Sequence, residues 1–435
     1  MISNKLQKHK ENGILRFEEY TLGNGLNVVL SEDHTIPSVA INLCYHVGSK
    51  DEEPGKTGFA HLFEHLMFEG SANLLKGQYE YLTASAGGEN NAYTTEDKTN
   101  YYLLLPSNQL ELGLWLESDR MLDCIVNETS LNTQKKVVIE EKKQNFDNRP
   151  YGSVSIEFAP RLFPGTGYGW DTIGNIEDIK EAKLDDVKAF FRKYYTPNNS
   201  VLSITGDFNP SEAIKLVEKY FNEIKPGETI ARNRLEIKNS IAELKEKIID
   251  KIQFPGIFLG YRIPRENSKE FYAFDLLTEI LAGGDSSRLY KNLVYDKQIT
   301  SEIGCWVDGK EFAGVMHLYV ILLPGAEIAA AEEELNRIFD DICTHGIEKR
   351  ELQKAKNRIE TKSHFRKQYI LSKADLLAHY KTFYNNPGLI NTNHNKYLSV
   401  TEEEILEYSK KFLKKENRVE LLYYPEELYS ENALL

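Results

Sequence analysis

The stretch "HLFEH", residues 61–65, places three costly polar side chains inside an otherwise apolar segment. It lies within "FAHLFEHLMF" (59–68), which contains no glycine or proline, is apolar nearly all round and predicts a buried helix. Histidine and glutamate are expensive to bury unless something binds them. Because residues i and i+4 share a helix face, His61 and His65 can direct their rings at one point, with Glu64 at the same edge.

A bound metal ion would offset the cost of burying these side chains. Imidazole pairs at this spacing suit Zn²⁺, which takes nitrogen and carboxylate ligands and keeps an open position where it is catalytic. The alternative is that both histidines are hydrogen-bonded core residues and the glutamate is a solvated neighbour. A pattern of five residues also arises by chance, so the rest of the sequence has to decide.

A third ligand is available further along the chain. The stretch "LNTQKKVVIEEKKQNFDNRP" (131–150) is typical of a long helix and contains Glu140 and Glu141. Val137, Val138 and Glu141 occupy neighbouring positions by the i, i+3, i+4 rule, so Glu141 is predicted to face inward and Glu140 to point away. Two histidines and one carboxylate form a catalytic zinc set, whereas a structural zinc site would want a fourth protein ligand, and none presents itself.

The chain shows signs of an internal duplication. Residues 184–208 and 400–427 share an acidic start, an amphipathic helix, a short polar turn and a hydrophobic strand. A polar stretch that opens with Pro-Gly separates the halves, which predicts an N-terminal zinc-binding domain (1–224), a linker (225–243) and a homologous C-terminal domain (244–435). Hairpin-like strands mixed with long helices predict an α+β fold of two duplicated lobes, each an antiparallel sheet packed with helices.

Composition excludes some classes of function. The 435 residues include 53 basic and 66 acidic side chains, and the net charge of −13 disfavours binding to nucleic acid or to anionic lipid. No run of 18 apolar residues suggests a membrane span, and the first residues lack the apolar run of a signal peptide. The expected compartment is therefore the cytoplasm as the sequence is written, or the periplasm if a leader has been removed.

Several motifs in the same order resemble the pitrilysin or insulinase (M16) zinc metallopeptidases. "GFAHLFEHLMFEGS" (58–71) resembles the inverted H-x-x-E-H motif of that family. The resemblance continues in "GGENNAYTTEDKTNYYLLLP" (87–106), "DNRPYG" (147–152) and "LAGGDSSRLYKNLV" (281–294). It implies duplicated lobes that help to form a clamshell around a chamber in which unfolded peptides are cleaved.

The resemblance assigns roles to the residues of the motif. It implies that His61, His65 and Glu141 hold one Zn²⁺ per chain, since the family's carboxylate ligand lies at the distance that separates Glu141 from His65. Glu64 would be the general base that takes a proton from the attacking water and passes it to the leaving amine. Gln134 stands where many members carry a second, supporting glutamate, so we expect altered tuning of the site without loss of the metal.

Substrate binding is implied for the strand that follows. The strand over 91–105 resembles the edge to which peptide substrates of the family add as an extra β-strand, with Asn91, Ala92 and Thr94 near the scissile bond. The alternative for this stretch is an ordinary strand after a Gly-Gly turn.

The second half departs from the family pattern. Active members usually carry an arginine six residues after the arginine of S-S-R-L and a tyrosine seven residues further on, but here these positions are Val294 and Ser301. Arg288 and Tyr290 are expected to be structural. Because some members pair two different chains, the expectation is a metal-bearing subunit of a heterodimer whose partner supplies the Arg/Tyr pair, although a homodimer is possible. The alternative function is a catalytically silent scaffold or assembly subunit.

Overall fold

The structure is a computed structural model that describes residues 15–232, 235, 237 and 243–426. The predicted linker, 225–243, lies partly outside these residues, and its described positions form no helix or strand. The strands are β1 (Glu18–Thr21), β2 (Asn27–Glu32), β3 (Ser38–Tyr45), β4 (Glu89–Thr94), β5 (Thr99–Pro106), β6 (Ser200–Gly206), β7 (Leu244–Asp250), β8 (Gly256–Ile263), β9 (Thr300–Gly309), β10 (Gly314–Leu322) and β11 (Arg418–Pro425).

The helices account for most of the remaining regular structure. They are α1 (Phe59–Leu66), α2 (Gln78–Ser85), α3 (Leu110–Leu122), α4 (Glu128–Lys142), α5 (Val154–Leu162), α6 (Ile176–Glu181), α7 (Leu184–Tyr194), α8 (Pro210–Phe221), α9 (Lys269–Ala282), α10 (Ile328–His345), α11 (Lys349–Arg366), α12 (Ile370–Tyr384), α13 (Leu389–Ser399) and α14 (Glu402–Phe412). Two π-helical segments cover Lys143–Asp147 and Tyr290–Asp296. None of the described helices is long and apolar enough to cross a bilayer.

The first compact unit is built on a six-stranded sheet of order β1-β2-β6-β3-β5-β4. Its first two strands form an antiparallel hairpin joined by residues 22–26, in which Gly25 has a positive φ of 88°. Strand β6 is buried throughout and β3 nearly so, because helices cover the sheet. The strand β4 forms one edge of this sheet, and helix α1 packs beside it.

The second compact unit repeats this arrangement with five strands in the order β7-β11-β8-β10-β9. Its core lies between the buried strands β8 and β10 and the helices α9 and α10. Each sheet contains one parallel strand pair, β2 with β6 in the first unit and β7 with β11 in the second. The other strand pairs are antiparallel. The α+β class is confirmed, but the sheets are mixed. Strands β6 and β11 enter after long helical stretches, which allow either direction of pairing.

The units are not two contiguous halves of the chain, as the predicted domain boundaries would have it. Residues 141–169 belong to the second unit and residues 364–392 to the first. Helix α12 buries its apolar face against β3 and β6, and α5 packs against β8 and β11. The physical reason is that each sheet must cover its apolar surface, and each half of the sequence supplies a covering helix to the other half's sheet.

Candidate metal centre

Helix α1 begins where a glycine and a buried carboxylate fix its first turn. Gly58 has a φ of +85°, and a Cβ there would lie 2.7 Å from the carbonyl oxygen of Ile173, so only glycine fits. The Glu52 carboxylate accepts hydrogen bonds from the backbone N–H groups of Gly58 and Ala60, both at 2.8 Å, and from the indole N–H of Trp170 at 3.0 Å. Burial raises the pKa of Glu52 to about 8, although these donors act to lower it.

The remainder of α1 separates an apolar side from a polar one. Ala60, Leu62, Phe63 and Leu66 are fully buried. His61, Glu64 and His65 are only half-buried and share the opposite face. The predicted buried helix is therefore confirmed, although it ends at Leu66 and not at Phe68. Its three polar side chains are presented together at one surface.

The two imidazoles face each other at close range. The Nε2 atoms of His61 and His65 are 3.4 Å apart, and their rings meet nearly edge to face with centroids 4.8 Å apart. Two nitrogen ligands on one tetrahedral Zn²⁺, each about 2.0–2.1 Å from it, would stand about 3.4 Å apart. The spacing of the two nitrogens thus matches what a shared zinc ion requires.

Glu141 joins this pair from the last turn of α4. One ligand atom from each of His61, His65 and Glu141 lies within 4.8 Å of the other two. Glu140 is exposed, in agreement with its predicted outward direction. Val138 is fully buried on the inward face of α4, whereas Val137 is 42% exposed. Glu141 therefore shares the inward face with Val138, three residues before it, and not with Val137.

The sequence did not reveal that Thr94 holds the carboxylate of Glu64. The Thr94 hydroxyl on β4 donates to Glu64 Oε2 at 2.6 Å. Burial, with the negative charge of Glu64 adding to it, raises the pKa of the nearby Tyr195 hydroxyl. Spacing along the chain gives no signal for this contact, because it joins a helix to a strand 30 residues away.

The predicted strand over 91–105 is in fact two strands, β4 and β5. Residues 95–98 turn the chain, with the N–H of Thr95 donating to the carbonyl of Lys98 at 2.8 Å. Asn91 is exposed and Ala92 half-buried, and the Asn91 side chain accepts from the Ala92 N–H at 2.8 Å. Both predicted substrate-binding residues therefore lie on the edge strand of the first sheet.

A buried ion pair ties this edge strand to α12. Asp375 accepts hydrogen bonds from the Tyr93 hydroxyl at 2.5 Å and from the Lys98 ammonium at 2.9 Å. Burial acts to raise the pKa of Asp375, but the charge of Lys98 and these hydrogen bonds hold it below its ordinary range. The ion pair and the Tyr93 hydrogen bond thus attach the end of β4, which carries Thr94, to α12.

Gln134 contacts a different glutamate from the one expected. Its amide Nε2 donates to Glu69 Oε1 at 2.5 Å, and Lys76 bonds the same oxygen at 2.5 Å. Among the described residues its Oε1 has no hydrogen-bond partner, so Gln134 makes no hydrogen bond to the clustered ligands. It braces the segment that follows α1 against α4, and a direct tuning role toward the cluster stays a prediction.

The positions that lack the arginine and tyrosine lie in the second unit. Val294 falls in a π-helical segment, and the Ser301 hydroxyl donates to the carbonyl of Ile321 at 3.2 Å. Arg288 binds both carboxylate oxygens of Glu351, at 2.8 and 2.7 Å, and also pairs with Asp341 at 3.0 Å. This pairing agrees with the structural role that was expected of Arg288.

Two family models match the chain. Residues 27–157 match the model described as insulinase (peptidase family M16), and residues 181–359 match the peptidase M16 inactive domain. The first match contains all the clustered side chains of α1 and α4.

Individual proteins that resemble the chain are also named as proteases. The chain is 30% identical over 298 residues to the zinc protease PqqE of Helicobacter pylori, which covers 68% of this chain and 67% of that one. It is 25% identical over 345 residues to YmxG of Bacillus subtilis, named an uncharacterized zinc protease, covering 79% and 82% of the two chains. The crystal structure of a protease from Helicobacter pylori superposes with a TM-score of 0.90 at 25% identity, covering 95% of this chain and all of that one.

Proposed function

Because the chain belongs to the insulinase (M16) family of peptidases, we propose that it is a zinc-dependent endopeptidase that hydrolyses unfolded peptides. The observation that carries this proposal is the convergence of His61, His65 and Glu141 within 4.8 Å, with Glu64 on the same helix face. Two imidazoles and one carboxylate are the ligand set of a catalytic zinc site and leave a fourth position open. The residues present therefore fit the metal that the family implies.

A zinc ion held there would act as a Lewis acid that polarises a peptide carbonyl and lowers the pKa of water. The chain's own contribution begins with Glu64, which accepts a proton from the attacking water and delivers it to the leaving amine. Thr94 positions this base, since its hydroxyl holds one carboxylate oxygen at 2.6 Å. A fixed carboxylate loses less orientational freedom on reaching the transition state.

The substrate would be bound as an additional strand. Strand β4 is an edge of the first sheet, so its outer backbone groups pair with no other described strand and can bind an extended peptide. Asn91 and Ala92 lie on this edge, and Thr94 at its end contacts the base. Backbone pairing of this kind selects extended conformation more than sequence, which suits unfolded peptides.

We also propose that a second M16 subunit completes the active site. Val294 and Ser301 supply neither a cation nor a phenol at the positions where active members carry arginine and tyrosine. A donor for the developing oxyanion commonly contributes roughly a hundredfold or more to the rate, so the chain alone should be slow. A different chain carrying the Arg/Tyr pair would supply the missing donors, and a homodimer would not.

The decisive experiment compares peptide cleavage by the chain alone and by the chain mixed with an M16 subunit that carries the Arg/Tyr pair. We expect slow or no cleavage alone, strong stimulation by the partner, and loss of at least about a hundredfold in the Glu64→Gln variant of the mixture. Glu140→Gln, an exposed change on α4, serves as the matched control. Cleavage that is indifferent to Glu64→Gln would refute the assigned base.

A catalytically silent scaffold is the second candidate function. It is favoured by the same two positions, Val294 and Ser301, and by the match of residues 181–359 to the inactive-domain model. A silent subunit would bind zinc and its partner, yet Glu64→Gln would leave the activity of the pair unchanged. The mixing experiment therefore separates the two candidates.

A further inference from the structure

Helix α1 carries two of the proposed zinc ligands, but the residue at its start offers no side chain to cap it. That residue is Gly58, where a Cβ would lie 2.7 Å from the carbonyl oxygen of Ile173. The first backbone N–H groups of a helix have no partner within the helix, and the side chain at this position usually accepts from them. The start of α1 therefore needs a hydrogen-bond acceptor from another part of the chain.

The carboxyl group of Glu52 is that acceptor. Its Oε2 accepts from the N–H of Gly58 and its Oε1 accepts from the N–H of Ala60, each at 2.8 Å. Glu52 is 8% exposed, so water does not compete freely for these donors. From six and eight residues away, Glu52 thus does what a capping side chain normally does from the start of its own helix.

A third donor, from a different segment, fixes the orientation of this carboxyl group. The indole N–H of Trp170 donates to Glu52 Oε2 at 3.0 Å and also to the carbonyl oxygen of Ser49 at 2.9 Å. Both carboxyl oxygens of Glu52 are therefore engaged, one by two donors and the other by one. The first turn of α1 is thus held by a buried group that lies outside the helix and is itself held from behind.

The turn that Glu52 holds is the turn that contains His61. Ala60, whose N–H donates to Glu52, is fully buried and directly precedes His61. His65 lies one turn later, in backbone that the hydrogen bonds of the helix already hold. A shift of the first turn would therefore move His61 relative to His65, and would disturb the 3.4 Å separation of their Nε2 atoms that suits one zinc ion.

We propose that Glu52 is a positioning residue for the metal site, because it fixes the first turn of α1 so that the His61 imidazole faces that of His65. This inference rests on the proposed zinc site. Glu52 acts through the backbone of Gly58 and Ala60 and not by touching the metal. Loss of its acceptor oxygens should therefore weaken metal binding and alter the geometry of the bound ion, although no ligand has been changed.

A second carboxylate beside the same loop provides the matched control. Asp178 accepts from the N–H and the hydroxyl of Thr57, at 3.0 and 2.6 Å, and so holds the residue before Gly58. Its hydrogen bonds reach the loop and not the first turn of α1. Removal of either carboxylate should lower the stability of the fold, but only the removal of Glu52 should release the turn that carries His61.

The test measures zinc affinity by equilibrium dialysis, and the visible spectrum of the cobalt-substituted protein, for the full chain and its variants. We expect affinity to be weaker by about tenfold or more in Glu52→Leu, which keeps no acceptor, and by about fivefold in Glu52→Gln, which keeps one oxygen. Asp178→Asn should bind zinc within about twofold of the parent. The cobalt bands should shift in both Glu52 variants and not in Asp178→Asn, because they follow ligand geometry.

Thermal unfolding followed by circular dichroism shows whether each variant is folded. We expect cooperative transitions with Tm lowered by about 2–5 °C in Glu52→Gln and Asp178→Asn alike. If Glu52→Leu does not fold, Glu52→Gln carries the test. Parental affinity and spectrum in Glu52→Gln, or an equal loss in Asp178→Asn, would overturn the positioning role. A parent chain that binds no zinc would instead refute the proposed metal site, and this inference with it.

Discussion

The two units build the same framework around different chemistry. The strands β3 and β8 begin 218 residues apart, at Ser38 and Gly256, and the same shift separates the starts of β6 and β11 and of α7 and α14. In each unit the central strand leads into a buried helix that faces another helix from later in the chain. The first unit presents imidazoles there, and the second presents an ion pair.

The same shift of 218 residues relates His61 to Glu279. Each lies 23 residues after the first residue of its central strand. Glu279 is nearly buried and is bound by Arg358 and Lys362 from α11. Although burial acts to raise it, these two cations hold the pKa of Glu279 below its ordinary value. The first repeat of the sequence thus clusters candidate metal ligands, while the second repeat uses the corresponding place for structural pairing, which is why we propose zinc binding for the first repeat and not for the second.

The largest effect is expected from separating the two halves of the sequence. Residues 1–224 alone would lack α12, whose Ile370, Ala374, Leu377 and Ala378 are buried against the first sheet. Each large apolar side chain that loses its cover costs about 1.5–3 kcal/mol. We expect no cooperative thermal unfolding of residues 1–224 by circular dichroism, and recovery when 225–435 is co-expressed. A cooperative transition in the isolated fragment would show that the exchanged helix is dispensable.

A smaller but still large effect is expected from Asp375→Asn. The variant leaves the buried Lys98 without its carboxylate, at a cost of about 2–3 kcal/mol in the free energy of unfolding. Because the pKa of Asp375 is lowered on folding, its contribution is fully present above the ordinary aspartate pKa and is lost as the pH falls through the folded value.

Urea titrations at pH 7 and pH 3 check this prediction. The difference between parent and variant should shrink at the lower pH. Asp123→Asn, at an exposed position, is the control. An equal difference at both values of pH would mean that the ionised carboxylate is not what anchors β4.

Glu279→Gln tests whether the second unit uses this position only for structural pairing. Its partners Arg358 and Lys362 are 42% and 60% exposed, so they can be solvated, and we expect a loss of only about 1–2 kcal/mol of stability. Zinc content should not change. Glu333→Gln on an exposed face of α10 is the control for calorimetric unfolding. A variant that loses zinc would contradict the division of roles between the units.

Thr94→Val should have the smallest effect. Losing the hydroxyl that orients Glu64 should lower kcat of the active pair by about three- to tenfold, with zinc bound as before and KM little changed. Thr94→Ser, which keeps the hydroxyl, should recover most of the rate. If the serine variant is as slow as the valine variant, the methyl group and not the hydrogen bond matters at this position.

Spacing along the sequence predicted the helix of the candidate site and the residues on its polar face, whereas contacts between distant segments became visible only in the structure. The apolar run from Phe59 indicated a buried helix, and the four-residue spacing brought His61 and His65 together, because one turn of helix is enough to fix both facts. Glu141 over Glu140 also follows from helical geometry on α4. These features depend only on neighbours in sequence.

Contacts between distant segments could not be read in this way. The Thr94–Glu64 hydrogen bond, the exchange of α5 and α12 and the parallel strand pairs all join parts of the chain whose relative placement no local pattern encodes. Gln134 shows the same limit, since family analogy suggested the metal site but packing gives it Glu69.

The most direct test is zinc binding by the purified chain, measured by equilibrium dialysis with elemental analysis. We predict one zinc ion per chain, an affinity at least about tenfold weaker in Glu141→Gln, and unchanged binding in Glu64→Gln and Glu140→Gln. A parent chain that binds no zinc, or a Glu141→Gln variant that binds it as tightly as the parent, would contradict the assignment of His61, His65 and Glu141 as the metal site.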